Sequence, residues 1–255
     1  MRRQYAEPPA RGQNVSLMKP LLLSLQRRDE VSEEERALLE NLPATSRSYR
    51  KNEEIVAEHS EPTESCLITR GFAGRSVYVE SGKRQLTAVH ITGDFVDLHG
   101  MLLKVMDHSV VALSECEVVF VPHRAIVDLM HRAPHLGRLL WLLTVIDGAI
   151  QRAWMAGLGR RSPIGHLSHL ICELYTRLQI VGLAGNNVLE LPLTQGEIAD
   201  LLGLSIVHVN RTIQDLRSTG VVNWRGGTIT IVDQTRLTAL ADFDPTYLNL
   251  RKQPR

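Results

Sequence analysis

A chain of 255 residues is long enough for two modest hydrophobic cores. With 44% apolar and 22% charged residues its composition is globular, which excludes collagenous and disordered classes. A formal net charge of +1 excludes a polycation, so nucleic-acid contact must come from a local patch.

Residues 1–17 carry proline, arginine and little apolar content, and they read as a flexible leader. From Pro20 to Asn41 the pattern turns helical, with Ser32 placed to start a helix ahead of Glu33, Glu34 and Glu35. From Tyr49 to Val121 short runs rich in Val, Ile, Thr and Tyr are punctuated by Gly71, Gly74, Gly82 and Gly93. Ser81-Gly82-Lys83 reads as a hairpin turn, and 110–113 and 116–122 as further strands, which suggests a small sandwich or barrel. Cys66 and Cys116 fall in these strands and read as core thiols. Cys172 is the third cysteine, and with no CxxC spacing the set argues against a disulfide scaffold and fits a reducing compartment.

Beyond Arg124 the chain is helical again. Leu136, Leu139, Leu143, Ile146 and Ile150 recur at alternating steps of three and four, an a/d seam that reads as a dimer interface. Two glycines and a proline in Gly157–Pro163 read as a helix-breaking hinge. Ile164–Ile180 is a further amphipathic helix, and Gly182–Asn187 a turn-rich connector. The most apolar run, Leu139–Ile146, is too short to span a bilayer, so the reading is a cytoplasmic protein with no membrane partner.

The segment Leu191–Asp233 carries the function. Thr194 and Glu197 form a capping box, with Leu193 and Ile198 at staple positions, opening a helix from Gln195 to Leu202. Gly203 ends it, and Ser205 caps a second helix running to about Arg217. Ile206, Val209, Ile213 and Leu216 form its expected buried face. Val207, His208, Asn210, Arg211 and Gln214 form the opposite face, whose polar groups suit base edges and phosphates. Two β runs around Arg225-Gly226-Gly227 complete a wing with a cation near its tip. Two helices joined by a glycine-bearing turn make a helix-turn-helix, whose second helix enters the major groove of double-stranded DNA. The expected DNA-binding set is Thr194, Gln195, Ser205, Val207, His208, Asn210, Arg211, Gln214 and Arg225.

The pattern T-Q-x-E-I-A-x-L-L-G-L-S-x-x-x-V-x-R-x-I-x-x-L-x-x-x-G resembles the Crp/Fnr family of transcription regulators. Thr194, Gln195, Glu197, Ile198, Ala199, Gly203, Leu204, Ser205, Val209, Arg211 and Leu216 carry it. The resemblance implies an α+β chain with an N-terminal cyclic-nucleotide-binding-like β-barrel (jelly roll), a long dimerisation helix and a C-terminal winged helix-turn-helix. Its boundaries here are a leader at 1–17, a sensor domain at 18–132, the dimerisation helix at 133–157, the DNA-binding domain at 158–240 and a tail at 241–255. It implies a homodimeric, non-enzymatic regulator acting on a pseudo-palindromic site and meeting RNA polymerase, with Arg211 contacting a base. A ligand-sensing module whose winged helix binds protein is the alternative.

The chain also departs from the family pattern. Val207 stands where the family often has glutamate, so a different cognate site is expected. The stretch matching the cyclic-AMP phosphate cassette offers Asp107, His108 and Ser109 and no arginine, so an anionic phosphate lacks its cation. The leader has no cysteines for an iron–sulfur cluster. His90, His99 and His108 are formal haem ligands that read as packed or surface residues. His166 and His169 lack a third metal ligand. No cofactor, metal or catalytic residue is expected; cyclic AMP, Fe–S and haem are each disfavoured.

Overall fold

The computed structural model describes residues 11–255, and their side chains from Leu17 onward. In chain order, helix α1 (Arg11–Gln26) is followed by α2 (Glu33–Glu40). Residues 11–17 of the expected leader thus belong to α1, and residues 1–10 lie outside the described residues. Met18, Leu21, Leu22 and Leu25 share the inner face of α1 and are buried. The Ser32 hydroxyl accepts from Glu35 N, and the Glu35 side chain accepts from Ser32 N.

Seven strands follow: β1 (Thr45–Tyr49), β2 (Glu54–Val56), β3 (Glu64–Arg70), β4 (Phe72–Tyr78), β5 (Arg84–Ile91), then, after the short helix α3 (Gly100–Leu103), β6 (Ser109–Ala112) and β7 (Cys116–Pro122). They form two sheets, ordered β1-β7-β3 and β2-β6-β4-β5. The β4–β5 hairpin turns at Gly82, whose φ of 76° lies in the left-handed region. Cys66, Ile68, Val96, Met106, Val110, Cys116, Val118 and Phe120 fill one core. Burial pushes the thiols of Cys66 and Cys116 up, as inert core groups require.

The helical part comprises α4 (His123–Arg132), α5 (Pro134–Arg160), α6 (Pro163–Ile180), β8 (Ala184–Gly185), β9 (Val188–Glu190), α7 (Gln195–Leu202), α8 (Ile206–Ser218), β10 (Val222–Arg225), β11 (Thr228–Ile231), α9 (Gln234–Ala241) and a 3-10 turn at Pro245–Leu248. A second core joins Met18, Leu21 and Leu25 of α1, Leu39 of α2, Val119 and Val121 of β7, Ile126 and Leu129 of α4, and Leu136 and Leu139 of α5.

The chain divides into two compact units. One takes the residues up to Arg75, Val89–Val145 and Arg251–Arg255; the other takes Ser76–Ala88 and Ile146–Leu250. The expected tail at 241–255 is therefore folded: the turn Pro245–Leu248 lies in the second unit, and Gln253 N donates to Arg28 O in the first at 3.0 Å. Among the described residues no helix is long and apolar enough to cross a membrane.

The break expected within Gly157–Pro163 falls at the far end of that stretch. Helix α5 runs through Gly157 and Gly159 to Arg160, and the break falls at Arg161 and Ser162. Ser162 caps α6 by accepting from Gly165 N, with Pro163 as its first residue. Gly157 serves close packing: a Cβ there would lie 2.8 Å from the His166 ring.

Candidate nucleic-acid interface

The caps expected of the helix-turn-helix are formed. Thr194 Oγ1 accepts from Glu197 N at 3.2 Å, while Glu197 Oε2 accepts from Thr194 N at 2.6 Å and from Thr194 Oγ1 at 2.9 Å. Gly203 closes α7 with φ 65° and ψ 30°, in the left-handed region that a side chain would strain. Ser205 Oγ then accepts from His208 N at 3.2 Å to open α8. These short-range bonds satisfy backbone donors that a helix start otherwise leaves to water.

Val209, Thr212, Ile213 and Leu216 bury one face of α8. Ile206, expected on that face, is instead 56% exposed. It sits at the first position of α8, ahead of the turn in which the helix meets its neighbours. Thr212 takes an inward place and bonds internally, its hydroxyl donating to His208 O at 2.9 Å.

The outward face carries Val207, His208, Asn210, Arg211 and Gln214, all exposed. Val207 is 80% exposed at the start of α8. Asn210 Nδ2 donates to Gln195 Oε1 at 3.2 Å, joining the start of α7 to the same face. Gln214 Oε1 accepts from Arg217 Nη1 at 3.3 Å. The nine expected DNA-binding residues thus lie on three pieces: Thr194 and Gln195 at the start of α7, six on or capping α8, and Arg225 in the wing.

The wing is built from β10 and β11, and Gly226 turns between them with φ 58°. Trp224 is buried and its Nε1 donates to Gly226 O at 3.1 Å, which fixes the tip; Arg225 is exposed beside it. Sequence reasoning missed the rest of this sheet, whose order is β10-β11-β9-β8. Asn186 and Asn187 form a two-residue turn with φ 50° and 61°, so the expected connector is a hairpin. An Asn-Asn pair before Val-Leu is the signal that could have revealed it.

Behind this face, α6 packs against α7, α8 and α9. Glu173 of α6 is fully buried and accepts from Trp154 Nε1, Tyr247 OH and Arg177 Nη1 at 2.9, 2.7 and 3.0 Å. His166 and His169 are buried beside this cluster; burial first, and then the charge of Arg161, lowers both to about 4. Arg161 Nη1 donates to Ala153 O at 3.1 Å. On the outer side of α7, Arg84 Nη2 reaches Asp200 Oδ2 at 2.7 Å.

The expected dimer seam needs correction. Leu136, Leu139, Ile146 and Ile150 are buried within the chain itself, and Leu143 is half-buried. Leu136 and Leu139 sit in the core shared with α1 and β7, which is why that face is apolar. The apolar residues left exposed on α5 are Trp141 at 68%, Val145 at 48%, Met155 at 72% and Leu158 at 50%. Trp141, Val145, Gly148, Arg152 and Met155 follow one another at steps of four, three, four and three, a second a/d row. At 3.6 residues per turn, its start at Trp141 lies roughly 140° round the helix from Leu136.

A short helix-turn-helix with a wing, carried on a chain that also holds a β-barrel of two sheets, defines a regulator of the DNA-binding class. The matches to known proteins agree. Residues 165–240 match the Crp-like helix-turn-helix domain, and residues 46–133 the cyclic nucleotide-binding domain. The chain is 30% identical over 171 residues to a probable transcriptional activator of Rhizobium leguminosarum bv. viciae, covering 66% of this chain and 69% of that one. It is 28% identical over 215 residues to the transcriptional activator protein FnrL of Cereibacter sphaeroides, covering 83% and 86%. The structure of FixK2 from Bradyrhizobium japonicum superposes with a TM-score of 0.71 at 26% identity, covering 78% of this chain and 98% of that one. The chain belongs to the Crp/Fnr family of transcription regulators.

Proposed function

We propose that this chain acts as a homodimer on a pseudo-palindromic DNA site, placing two copies of α8 in successive major grooves about one helical turn apart. The observation that carries this is the outward face of α8, where hydrogen-bonding side chains surround a valine left 80% exposed among the described residues. Arg211 reads a guanine through O6 and N7, and Asn210 and His208 supply neighbouring contacts. Val207 suits the methyl group of thymine, the one apolar mark in the major groove. Thr194, Gln195, Ser205 and Gln214 set the helix on the backbone, and Arg225 reaches a phosphate from the wing.

The exposed row Trp141, Val145 and Met155 is the surface on which two copies of α5 pair. The barrel serves as the sensor, RNA polymerase is the protein partner, and the cytoplasm is the compartment. The regulator performs no catalysis. Selection of bound DNA from a random pool, followed by gel shifts at several salt concentrations, tests the reading. A selected site with inverted half-sites and an affinity that falls steeply with salt is expected. Failure to enrich any sequence, at a salt concentration where the chain remains folded, overturns it.

A further inference from the structure

We propose that His99, Asp107 and His108 form a binding site for one divalent transition-metal ion of the zinc class. A nitrogen from each histidine and a carboxylate oxygen of Asp107 lie within 4.8 Å of one another. Ligands of a four-coordinate zinc at bond lengths near 2.0–2.1 Å are about 3.4 Å apart, so small side-chain rotations close the set. Two imidazoles and one carboxylate are donors that zinc-class ions accept, and three protein ligands leave a fourth position for water or an exogenous ligand.

The surrounding chain brings these groups together. His99 immediately precedes α3, and His108 immediately precedes β6. Between them the loop is pinned at Met106, whose N donates to Ser60 O at 2.9 Å and whose O accepts from His59 N at 2.7 Å. The rings of His99 and His108 then meet at 5.3 Å between centroids. Asp107 Oδ1 lies 2.7 Å from His108 Nδ1. The His108 side chain is 5% exposed and Asp107 77% exposed, so the set has a sheltered wall and an open mouth.

This segment is the one that, by sequence, replaces the family's phosphate cassette. Its ligands stand at the two ends of a loop bearing Leu102, Leu103 and Val105, all exposed. Metal binding therefore ties the ends of this loop together and restrains its apolar tip.

The test uses the full chain, stripped with chelator and titrated with Co²⁺, which is then displaced by Zn²⁺. One ion per chain, with visible absorption of a tetrahedral cobalt centre, is expected. Hydrogen exchange across residues 100–106 should slow on Zn²⁺ addition. His99→Ala and Asp107→Ala should each weaken Zn²⁺ binding at least about tenfold. His108→Ala removes a buried ring and can disturb folding, so the exposed Asp107 decides. Unchanged affinity in Asp107→Ala, or no saturable site below about 0.1 mM in the unmodified chain, overturns the proposal. Neither outcome bears on DNA binding, which is measured separately.

Discussion

Glu173 gives the most direct physical test of the scaffold behind α8. Its carboxylate is fully buried, and three donors from α5, α6 and the 3-10 turn converge on it: Trp154, Arg177 and Tyr247. Burial first, and then the Glu173 charge, push the Tyr247 hydroxyl up, so the phenol stays a donor. Glu173→Ala removes the acceptor of all three donors and takes this counter-charge from the buried Arg177. Breaking a buried pair from one side costs about 3–5 kcal/mol. Losing a hydrogen bond to a charged group costs about 1.5–3 kcal/mol, and these losses overlap because they share one carboxylate. A net loss of about 4 kcal/mol is expected, a large part of a typical 5–15 kcal/mol total. Urea unfolding followed by tryptophan fluorescence and circular dichroism measures it. The double variant Glu173→Ala, Arg177→Ala should lose clearly less than the two single losses combined, because neither charge is left buried alone. A single-variant loss under about 1 kcal/mol, or strict additivity in the double variant, would refute the reasoning.

Four further outcomes are expected. Arg211→Ala should cost about 1–3 kcal/mol in affinity for the selected site and relax preference at one base pair; gel shifts that keep full selectivity count against it. Val207→Glu adds an acceptor where an apolar side chain stood, and should move preference toward cytosine in a single-base substitution series; an unmoved preference places Val207 away from the bases. Trp141→Glu with Met155→Glu should yield monomers by light scattering at micromolar concentration, whereas a persisting dimer removes the exposed row of α5 from the interface. Acid should weaken the fold through His166 and His169, held neutral with values lowered to about 4 against about 6.5 unfolded. The unfolded chain binds more protons, so this contribution is complete above pH ~6.5 and is lost by up to ~3 kcal/mol per histidine as pH falls toward 4. An identical acid slope in His166→Asn, His169→Asn would contradict that.

What the sequence made legible was short-range. Ser32, Thr194 and Ser205 announce helix starts because a cap is made by residues two or three positions apart, and all three form as read. Gly203 announces a helix end for the same reason. The β segments were visible as a class, yet their order of β1-β7-β3 and β2-β6-β4-β5 depends on pairings between distant residues that no local pattern encodes. Strands β8 and β9 were missed because two and three residues are too few to show alternation. Ile206 was misplaced because a helical wheel assigns faces by angle alone, and the first residue of a helix has no turn before it to cover its side chain.

The long helix α5 shows where periodicity stops being informative. Leu136, Leu139, Leu143, Ile146 and Ile150 form an a/d row, and so do Trp141, Val145, Gly148, Arg152 and Met155. The first is the richer in leucine and isoleucine, so by composition it looks the better interface. It is richer because it is core: α1, β7 and α4 already converge on its N-terminal half, and a core rewards uniform aliphatic packing. The second row mixes tryptophan, methionine, a glycine and an arginine, and interfaces between chains are enriched in aromatic residues, Met and Arg over the rest of the surface. On α5 the leucine-rich row faces the chain's own core, so the more mixed, exposed row is the one proposed to pair with a second copy. The light-scattering comparison decides between the rows. A charge at Trp141 and Met155 acts on association while the folded chain stays intact, whereas a charge at Leu139 unfolds the core first.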